Sequence, residues 1–286
     1  MPSLIDIRRR IRSVKNTQQI TKAMKMVSAA KLRRAQDRVI SARPYAATLR
    51  KVISNVAAAA SGEDLATANP LLAQREEKRV LLVLISGDKG LAGAFNSNLI
   101  KAAVRFPVEH NDAEMTLELV GRKGRDFFRK RSLKISGDQI NLAAKPVYED
   151  VAAIARRAML LFSEGQVDAV YLLFNEFKSV MTQRVTFSRV LPVEVKAEEA
   201  AVDYIFEQPP AEMLESLLPR YVEMEFYRAL LESSAAEHAA RMTAMDAATN
   251  NAADVIETLT LNMNRVRQAS ITKEIIEVVS GAAAAE

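Results

Sequence analysis

The stretch that could carry chemistry is Ser86–Asn96, with the residues SGDKGLAGAFN. It follows an apolar run, Arg79–Ser86, and precedes a predicted helix, Ala94–Phe106. Loops that join a strand to a helix are where α/β folds usually bind phosphates and substrates. Lys89, however, is not followed by Ser or Thr, and the glycine spacing fits neither a P-loop nor a dinucleotide fingerprint. The pattern favours a tight turn whose glycines take positive φ.

Other residue types offer little further chemistry. The chain has no cysteine, which excludes disulfides, thiolate metal sites and a cysteine nucleophile. Its two histidines, His110 and His238, lie far apart in the sequence and outside any recognisable motif. No metal-ligand cluster and no pair of carboxylates suited to acid–base catalysis stands out. We therefore predict no catalytic residue, metal site or cofactor, and expect the central part of the chain to be a scaffold.

The elements around this loop alternate between short apolar runs and helical patterns. The predicted strands are Arg79–Ser86, Thr116–Val120, Asp168–Phe174, Val180–Leu191 and Tyr204–Phe206. The predicted helices between them are Ala94–Phe106, Gly121–Lys130 and Val147–Ser163, and Ser61–Pro70 is predicted to be a loop. Strands that alternate with helices indicate an α/β domain with a mostly parallel sheet.

The C-terminal part is dominated by Arg220–Ser280, 61 residues without Gly or Pro. As one helix it would span roughly 90 Å at about 1.5 Å per residue. A stripe along it steps alternately by four and three residues, which is the spacing of a coiled-coil seam. The stripe consists of Met224, Arg228, Leu231, Ala235, His238, Met242, Met245, Thr249, Ala252, Ile256, Leu259, Met263 and Val266. Such a helix needs a partner, and a place in a large helical bundle is the alternative.

The N-terminal part supplies that partner. No Gly or Pro occurs between Ser3 and Arg43, and Tyr45–Ala60 is again helical in pattern, with Pro44 as a kink or boundary. The predicted apolar seam begins with Leu4, Ile7, Ile11 and Val14, and continues after a phase shift with Ile20, Met24, Val27, Leu32, Ala35 and Val39. We expect an α/β unit, residues 61–208, inserted between helical domains formed by residues 1–60 and 209–286.

Charge is distributed unevenly along the chain. Residues 1–51 hold 14 basic and two acidic side chains, a net charge of +12, whereas Arg220–Ser280 holds six basic and nine acidic ones, a net charge of −3. The basic segment should face something acidic. A nucleic-acid arm is one possibility, but no aromatic residue precedes Tyr45, so base stacking is not expected there. The chain has no apolar run long enough for a membrane span and no secretory signal is expected.

Three segments resemble one known family. Ile271–Ala284 is similar to the C-terminal signature of the F-type ATP synthase gamma subunit, with Thr272, Glu274, Glu277, Gly281 and Ala282 at its positions. Leu4–Gln36 resembles the N-terminal helix of that family. Ser86–Asn96 resembles its central motif, from which it departs by having Gly87 between Ser86 and Asp88. The resemblance thus covers both ends and the middle of the chain.

The resemblance implies a fold and a function. The fold would be α/β, with a long antiparallel coiled coil of the N- and C-terminal helices and an inserted Rossmann-like α/β domain. The protein would be the central-stalk rotor of a proton-translocating ATP synthase, one copy per complex, coupling rotation of the c-ring to conformational change in the catalytic beta subunits. Its partners would be the alpha and beta subunits, the epsilon subunit and the c-ring, with no nucleic acid, no cofactor and no catalysis of its own. It would lie peripherally on the cytoplasmic face of a bacterial inner membrane.

The same resemblance implies contact residues. Those expected to meet the beta subunit are Met24, Lys25, Arg241, Gln268, Thr272 and Glu274. Those expected on the side of the epsilon subunit and c-ring are Tyr204 and Glu207. Two other functions stay open from the residues alone: a nucleotide-binding enzyme built on the α/β domain, and a basic coiled-coil protein that binds nucleic acid.

Overall fold

We describe the protein from a computed structural model, which describes residues 3–59, 69–110, 113–131, 133–194 and 208–283. The chain forms two compact units. The first combines Met1–Ser28 with Met242–Glu286, and the second is Ala29–Arg241. The predicted division at residues 60 and 208 stays a prediction. The predicted strand Tyr204–Phe206 and most of the predicted loop Ser61–Pro70 lie outside the described residues.

A five-stranded sheet forms the centre of the Ala29–Arg241 unit. Its strands are β1 (Arg79–Ile85), β2 (Glu114–Val120), β3 (Lys134–Gln139), β4 (Ala169–Phe177) and β5 (Gln183–Leu191). Their order in the sheet is β3-β2-β1-β4-β5, and only β5 runs antiparallel to its neighbour. The predicted mostly parallel, Rossmann-like sheet is confirmed, because the order 3-2-1-4-5 is that of a doubly wound fold.

The central strand, β1, is the element that the sequence predicts most clearly. Every residue of β1 from Val80 to Ile85 is buried. A parallel strand covered by helices on both faces needs apolar side chains in both directions, so its sequence is a continuous apolar run. Three shorter helices accompany the sheet: α2 (Phe95–Glu109), α3 (Arg122–Phe128) and α4 (Tyr148–Ser163). All three correspond to predicted helices.

Strand β3 was missed by the sequence analysis. Its residues, KISGDQ, include no apolar run, and none of them is fully buried. It lies at an edge of the sheet beside β2. A Cβ at Gly137 would come within 2.9 Å of the Glu118 carboxylate oxygens on β2, so a larger residue here would force the Glu118 side chain to shift.

Two long helices complete the chain: α1 (Leu4–Ala59) and α5 (Pro210–Ala283). Helix α5 begins ten residues before the stretch Arg220–Ser280 that lacks Gly and Pro. Pro44 in α1 and Pro219 in α5 lie inside the helices and end neither of them. A proline frees the carbonyl four residues earlier. For Pro44 this is the carbonyl of Ile40, which lies on an exposed face where water can hydrogen-bond to it.

The predicted phase shift in the α1 seam is wrong. Ile20 and Val27, assigned to the seam, are 60% and 56% exposed. The inward positions continue instead in steps of three and four through Gln18, Thr21, Met24 and Ser28, so the seam keeps its period mainly through polar side chains. Met24 is thus half-buried on the seam, as predicted. The later seam residues Leu32, Ala35 and Val39 are buried as predicted.

The predicted stripe on α5 faces inward. Met224, Leu231, Ala235, Met245 and Ala252 are buried, and the other members are half-buried.

Candidate functional site

The loop Ser86–Asn96 is held by its own chain. Ser86 is 2% exposed, and its hydroxyl donates to the carbonyl of Val120 (3.1 Å) and accepts from the N–H of Gly124 (2.9 Å). Gly121 has φ 96°, and a Cβ there would lie 2.0 Å from the carbonyl oxygen of Ser86. No side chain fits at that distance, so the backbone of β1 and the start of α3 touch directly.

Asp88 occupies the place where an anion could bind. Its Oδ1 accepts hydrogen bonds from the backbone N–H of Arg122 and of Asn141, both at 3.0 Å. Arg122 is the first residue of α3. A helix N-terminus attracts negative charge, and here the carboxylate of the chain itself supplies it.

The glycines of this loop only partly match the prediction. Positive φ occurs at Gly93 (55°) and at the non-glycine Leu91 (60°), whereas Gly87 and Gly90 do not adopt it. Gly87 is needed for another reason. Its N–H donates to Asn96 Oδ1 (2.9 Å), and a Cβ there would come within 2.9 Å of the Glu237 carboxyl carbon.

Helix α5 covers the carboxyl ends of the strands. Ser233 Oγ donates to the carbonyl of Ile85 (3.2 Å), at the end of β1, and Glu232 Oε2 accepts from the N–H of Phe177 (3.1 Å), at the end of β4. The strand order reverses between β1 and β4, which is where doubly wound folds open their ligand crevice. In this chain a helix lies across that position.

Arg241, a predicted contact with the beta subunit, is buried against the loop. Its guanidinium pairs with Glu237 (2.5 Å) and donates twice to the carbonyl of Gly90 (3.3 Å). It also approaches Nδ1 of His238 (3.4 Å). Burial, together with the nearby cations Arg241, Lys31 and Lys89, lowers the pKa of His238 to about 4. The imidazole is therefore neutral near pH 7, so Nδ1 can accept the Arg241 hydrogen bond.

The other unit contains an antiparallel pair of helical segments. Thr21 faces Thr249 and Lys25 faces Asp246, so the numbers rise along α1 as they fall along α5. Lys25 Nζ lies 2.5 Å from Asp246 Oδ1, with both side chains nearly half exposed. Met24 beside it is half-buried. These two predicted contact residues therefore lie on one stretch of the pair, and Lys25 already has a partner.

The remaining predicted contacts on α5 are exposed. Gln268, Thr272 and Glu274 all point to solvent, and Glu274 accepts only a 3.2 Å hydrogen bond from Ser270 on its own helix. Every residue of 271–280 is exposed. The stretch carries five large apolar side chains at 47–72% exposure: Ile271, Ile275, Ile276, Val278 and Val279. Tyr204 and Glu207 lie outside the described residues.

A groove of about 670 Å³ between α2 and α3 was not foreseen. Apolar side chains line it together with four cations, Lys101, Arg105, Lys123 and Arg131. Arg131 stacks on Phe127, with 3.5 Å from its guanidinium carbon to the ring centroid. Among the residues that the structure describes, no carboxylate pairs with these cations. The available signal was the pair of four-residue spacings Ile100/Val104 and Lys101/Arg105 on one helix.

Two kinds of feature are absent from the described residues. None of the helices is long and apolar enough to cross a membrane. Within the same residues, no group of three or more acidic or histidine side chains could hold a metal ion.

Comparison with known proteins gives a consistent result along the whole chain. A family model described as ATP synthase matches residues 3–285. The ATP synthase gamma chain of Solibacter usitatus (strain Ellin6076) is 73% identical over 286 residues, covering 100% of both chains. The ATP synthase gamma chain of Pelotomaculum thermopropionicum is 50% identical over 289 residues, again covering 100% of both.

Solved structures show the same fold. A chain in the central stalk and c-ring structure of the Tetrahymena thermophila mitochondrial ATP synthase matches with a TM-score of 0.61 and 29% identity, covering 80% of this chain and 99% of that one. A chain in the Euglena gracilis mitochondrial ATP synthase structure of OSCP, F1 and c-ring matches with a TM-score of 0.70, covering 98% of this chain and 94% of that one. Its identity is 20%, so this second likeness concerns the fold alone.

Proposed function

The chain belongs to the ATP synthase gamma chain family, and from that premise we propose that it is the rotor of the central stalk. It is turned by the c-ring and drives the three catalytic beta subunits through different conformations in turn. Its partners are the alpha and beta subunits, the epsilon subunit and the c-ring. One copy serves each complex, peripherally on the cytoplasmic face of the membrane.

The observation that carries this function is the uncovered end of α5. The stretch 271–280 presents five large apolar side chains to solvent. Contiguous exposed apolar surface marks a site that another molecule covers. A helix end that turns inside a ring of alpha and beta subunits needs such a surface, because apolar contacts are non-directional and hold it equally at every angle.

We propose that the chain performs no catalysis itself. Ser233 and Glu232 of α5 hydrogen-bond to the ends of β1 and β4, where a nucleotide would otherwise enter. Asp88 takes the N–H groups that a phosphate would need. The loop Ser86–Asn96 therefore serves to join the sheet to α5.

The contacts with the beta subunit are proposed for two regions. Gln268, Thr272 and Glu274 are exposed, so a partner's polar groups can reach them. Met24 and Lys25 lie on the α1 side of the helix pair, where Lys25 would attract an acidic surface of beta. Arg241 is proposed to reach beta only after leaving Glu237, since its guanidinium faces inward. Tyr204 and Glu207 are proposed for the epsilon and c-ring side.

The experiment that tests the function is reconstitution with alpha and beta subunits. We expect the chain to yield an assembly with steady ATP hydrolysis, in which a bead attached to the chain rotates. Binding of ATP or NAD to the chain alone, without rotation in the assembly, would favour an enzyme instead. Steeply salt-dependent DNA binding without rotation would favour a nucleic-acid-binding protein.

One residue tests the contact surface without disturbing the fold. Gln268→Ala should leave the free energy of unfolding within about 0.5 kcal/mol of the parent, because the side chain is exposed. The same change should lower ATP hydrolysis of the assembly. Arg241→Ala is a poor probe, because it leaves Glu237 buried without its cation and should cost about 3–5 kcal/mol of stability. If ATP hydrolysis by the assembly is unchanged with Gln268→Ala, Gln268 does not belong to the contact surface.

A further inference from the structure

We propose that the buried carboxylate of Glu232 fixes the two long helices to the central sheet, so that torque passes between them without slip. This rests on the rotor function proposed above. Glu232 would be a positioning residue for energy coupling, since it touches neither nucleotide nor proton path. The proposal concerns the Ala29–Arg241 unit, in which parts of α1 and α5 pack with the sheet.

Three elements meet at this carboxylate, which is 2% exposed. Its Oε1 accepts from Arg43 Nη2 (2.9 Å) and Nε (3.2 Å), which is a two-pronged bond from α1. Its Oε2 accepts from the backbone N–H of Phe177 (3.1 Å), the last residue of β4. Arg43 Nη2 also donates to the carbonyl of Phe177 (3.3 Å). Helix α1, helix α5 and the sheet are thus joined by one closed set of hydrogen bonds.

A second ion pair repeats the link between the helices. Arg50 of α1 pairs with Glu225 of α5 at 3.2 Å. The step from Arg43 to Arg50 equals the step from Glu232 back to Glu225, one heptad in each direction. A third carboxylate, Glu223, binds Arg156 (2.7 Å) on α4. Of these three acidic residues, Glu232 alone bonds to both α1 and the sheet within the part of the chain that the structure describes.

Stability does not explain why charged groups are buried here. A buried ion pair costs desolvation energy that roughly cancels its attraction, and apolar side chains of similar volume often stabilise a protein as well or better. Apolar packing, however, resists separation of two helices more than sliding along their seam, because it is non-directional. A two-pronged guanidinium–carboxylate bond fixes both distance and angle. A rotor needs that property where the sheet, which receives torque, meets the helices that deliver it.

The test replaces the pair by apolar groups and measures torsional stiffness. The variant Arg43→Met with Glu232→Leu avoids an unpaired buried charge. The chain has no cysteine, so Lys130→Cys, in the exposed turn that follows α3, gives a single attachment point for a bead. In an assembly with alpha and beta subunits stalled by a non-hydrolysable ATP analogue, the angular variance of the bead is inversely proportional to the torsional stiffness of the whole path from the sheet through the helices to the stalled subunits. A difference in variance between variants therefore reports the stiffness that the changed pair contributes to this path.

The matched control is another buried carboxylate paired with a partly exposed arginine in the same unit. Glu118 is also 2% exposed and pairs with Arg157, but it joins β2 to α4, and within the described residues no hydrogen bond or ion pair links it to a long helix. We expect Arg43→Met/Glu232→Leu to raise the angular variance severalfold and to lower the protons pumped per ATP in the membrane-bound complex. Arg157→Met/Glu118→Leu should change neither, while the urea midpoints of both variants stay comparable.

Two further variants test the Glu232 hydrogen bonds separately from the assembly of the complex. Exchanging the charges, Arg43→Glu with Glu232→Arg, restores the helix–helix pair but removes the acceptor for the Phe177 N–H, so the variance should stay high. If the apolar variant does not assemble, Glu232→Gln, which keeps the shape, should still raise the variance. Equal variance in the Glu232 and Glu118 variants would overturn the proposal. Failure of the parent assembly to rotate would instead overturn the rotor function.

Discussion

The hydroxyl oxygens of Thr21 and Thr249 lie 2.8 Å apart, one on each long helix. Thr249 also donates to the carbonyl of Met245 (2.7 Å), and Gln18 Nε2 reaches the carbonyl of Thr249 (3.4 Å). A polar layer in an apolar seam costs stability and specifies which residues face each other. This layer therefore fixes the register of α1 against α5.

Replacing both threonines by valine tests this layer. Thr21→Val and Thr249→Val should each lower the free energy of unfolding by about 0.5–1 kcal/mol. The double variant should cost less than the sum by about 0.5 kcal/mol or more, because the second change removes the hydroxyl that the first change left without its partner. Urea unfolding of the four proteins measures this. Thr258→Val is the control, because Thr258 bonds only to Asp254 of its own helix. Strict additivity would show that the hydroxyls act independently.

The close approach of Gly121 to Ser86 predicts a severe glycine effect. Gly121→Ala should lower the free energy of unfolding by more than about 3 kcal/mol, because a Cβ would strike the Ser86 carbonyl at a residue with positive φ. Gly90→Ala should change it by less than about 1 kcal/mol, since its nearest neighbour would be the Lys123 side chain at 3.8 Å. The denaturant midpoints of the parent and the two variants measure these costs. Similar costs at the two positions would show that the loop is not held as described.

The pair of Lys25 and Asp246 predicts opposite effects on assembly. Each single change, Lys25→Ala or Asp246→Asn, should alter the free energy of unfolding by less than about 1 kcal/mol, because both side chains are nearly half exposed. Association with the beta subunit should slow with Lys25→Ala and accelerate with Asp246→Asn, which frees the ammonium group. Association rates at low and high salt measure this. If neither change alters the association rate, the acidic surface of the beta subunit does not bind at Lys25.

The buried His238 predicts a loss of stability in mild acid. Its pKa is lowered to about 4 in the folded chain from a usual value of 6.5. Between these values the unfolded chain binds a proton that the folded chain does not, so stability falls as pH decreases from 6.5 towards 4. His238→Gln should flatten this part of the curve. Urea unfolding of both proteins at pH 7.5 and pH 5 measures the difference, and parallel curves would contradict the assigned pKa.

The sequence predicts an element correctly where the residues of that one segment determine its structure. The apolar run of β1 predicts a buried parallel strand, and the spacing from Met224 to Val266 predicts an inward stripe. Strand β3 was not predicted, because the segment KISGDQ forms a strand through its pairing with β2 and has no apolar pattern of its own. The α1 seam was misread between Gln18 and Ser28 because apolar residues were assumed to mark it, whereas Thr21 finds its partner on the other helix.

Long-range pairs explain what was missed at the site. Gly87 is a residue type typical of turns. What limits the size of the side chain at this position, however, is the carboxyl group of Glu237, 150 residues away in the sequence. The charge count shows only that Arg220–Ser280 carries an acidic excess, with no indication of which carboxylates are buried. In fact Glu225 and Glu232 are buried and paired with arginines of α1. No single-sequence pattern shows which arginine meets which glutamate, so these pairings required the folded chain.

The uncovered apolar end of α5 also has a consequence for how a cell handles this protein. A chain made in excess of its partners presents Ile275, Ile276 and Val279 to other copies of itself. Exposed apolar side chains of this kind promote aggregation of unassembled molecules. Production of the chain must therefore keep pace with that of the subunits that enclose this end, and surplus copies are natural substrates for chaperones and proteases.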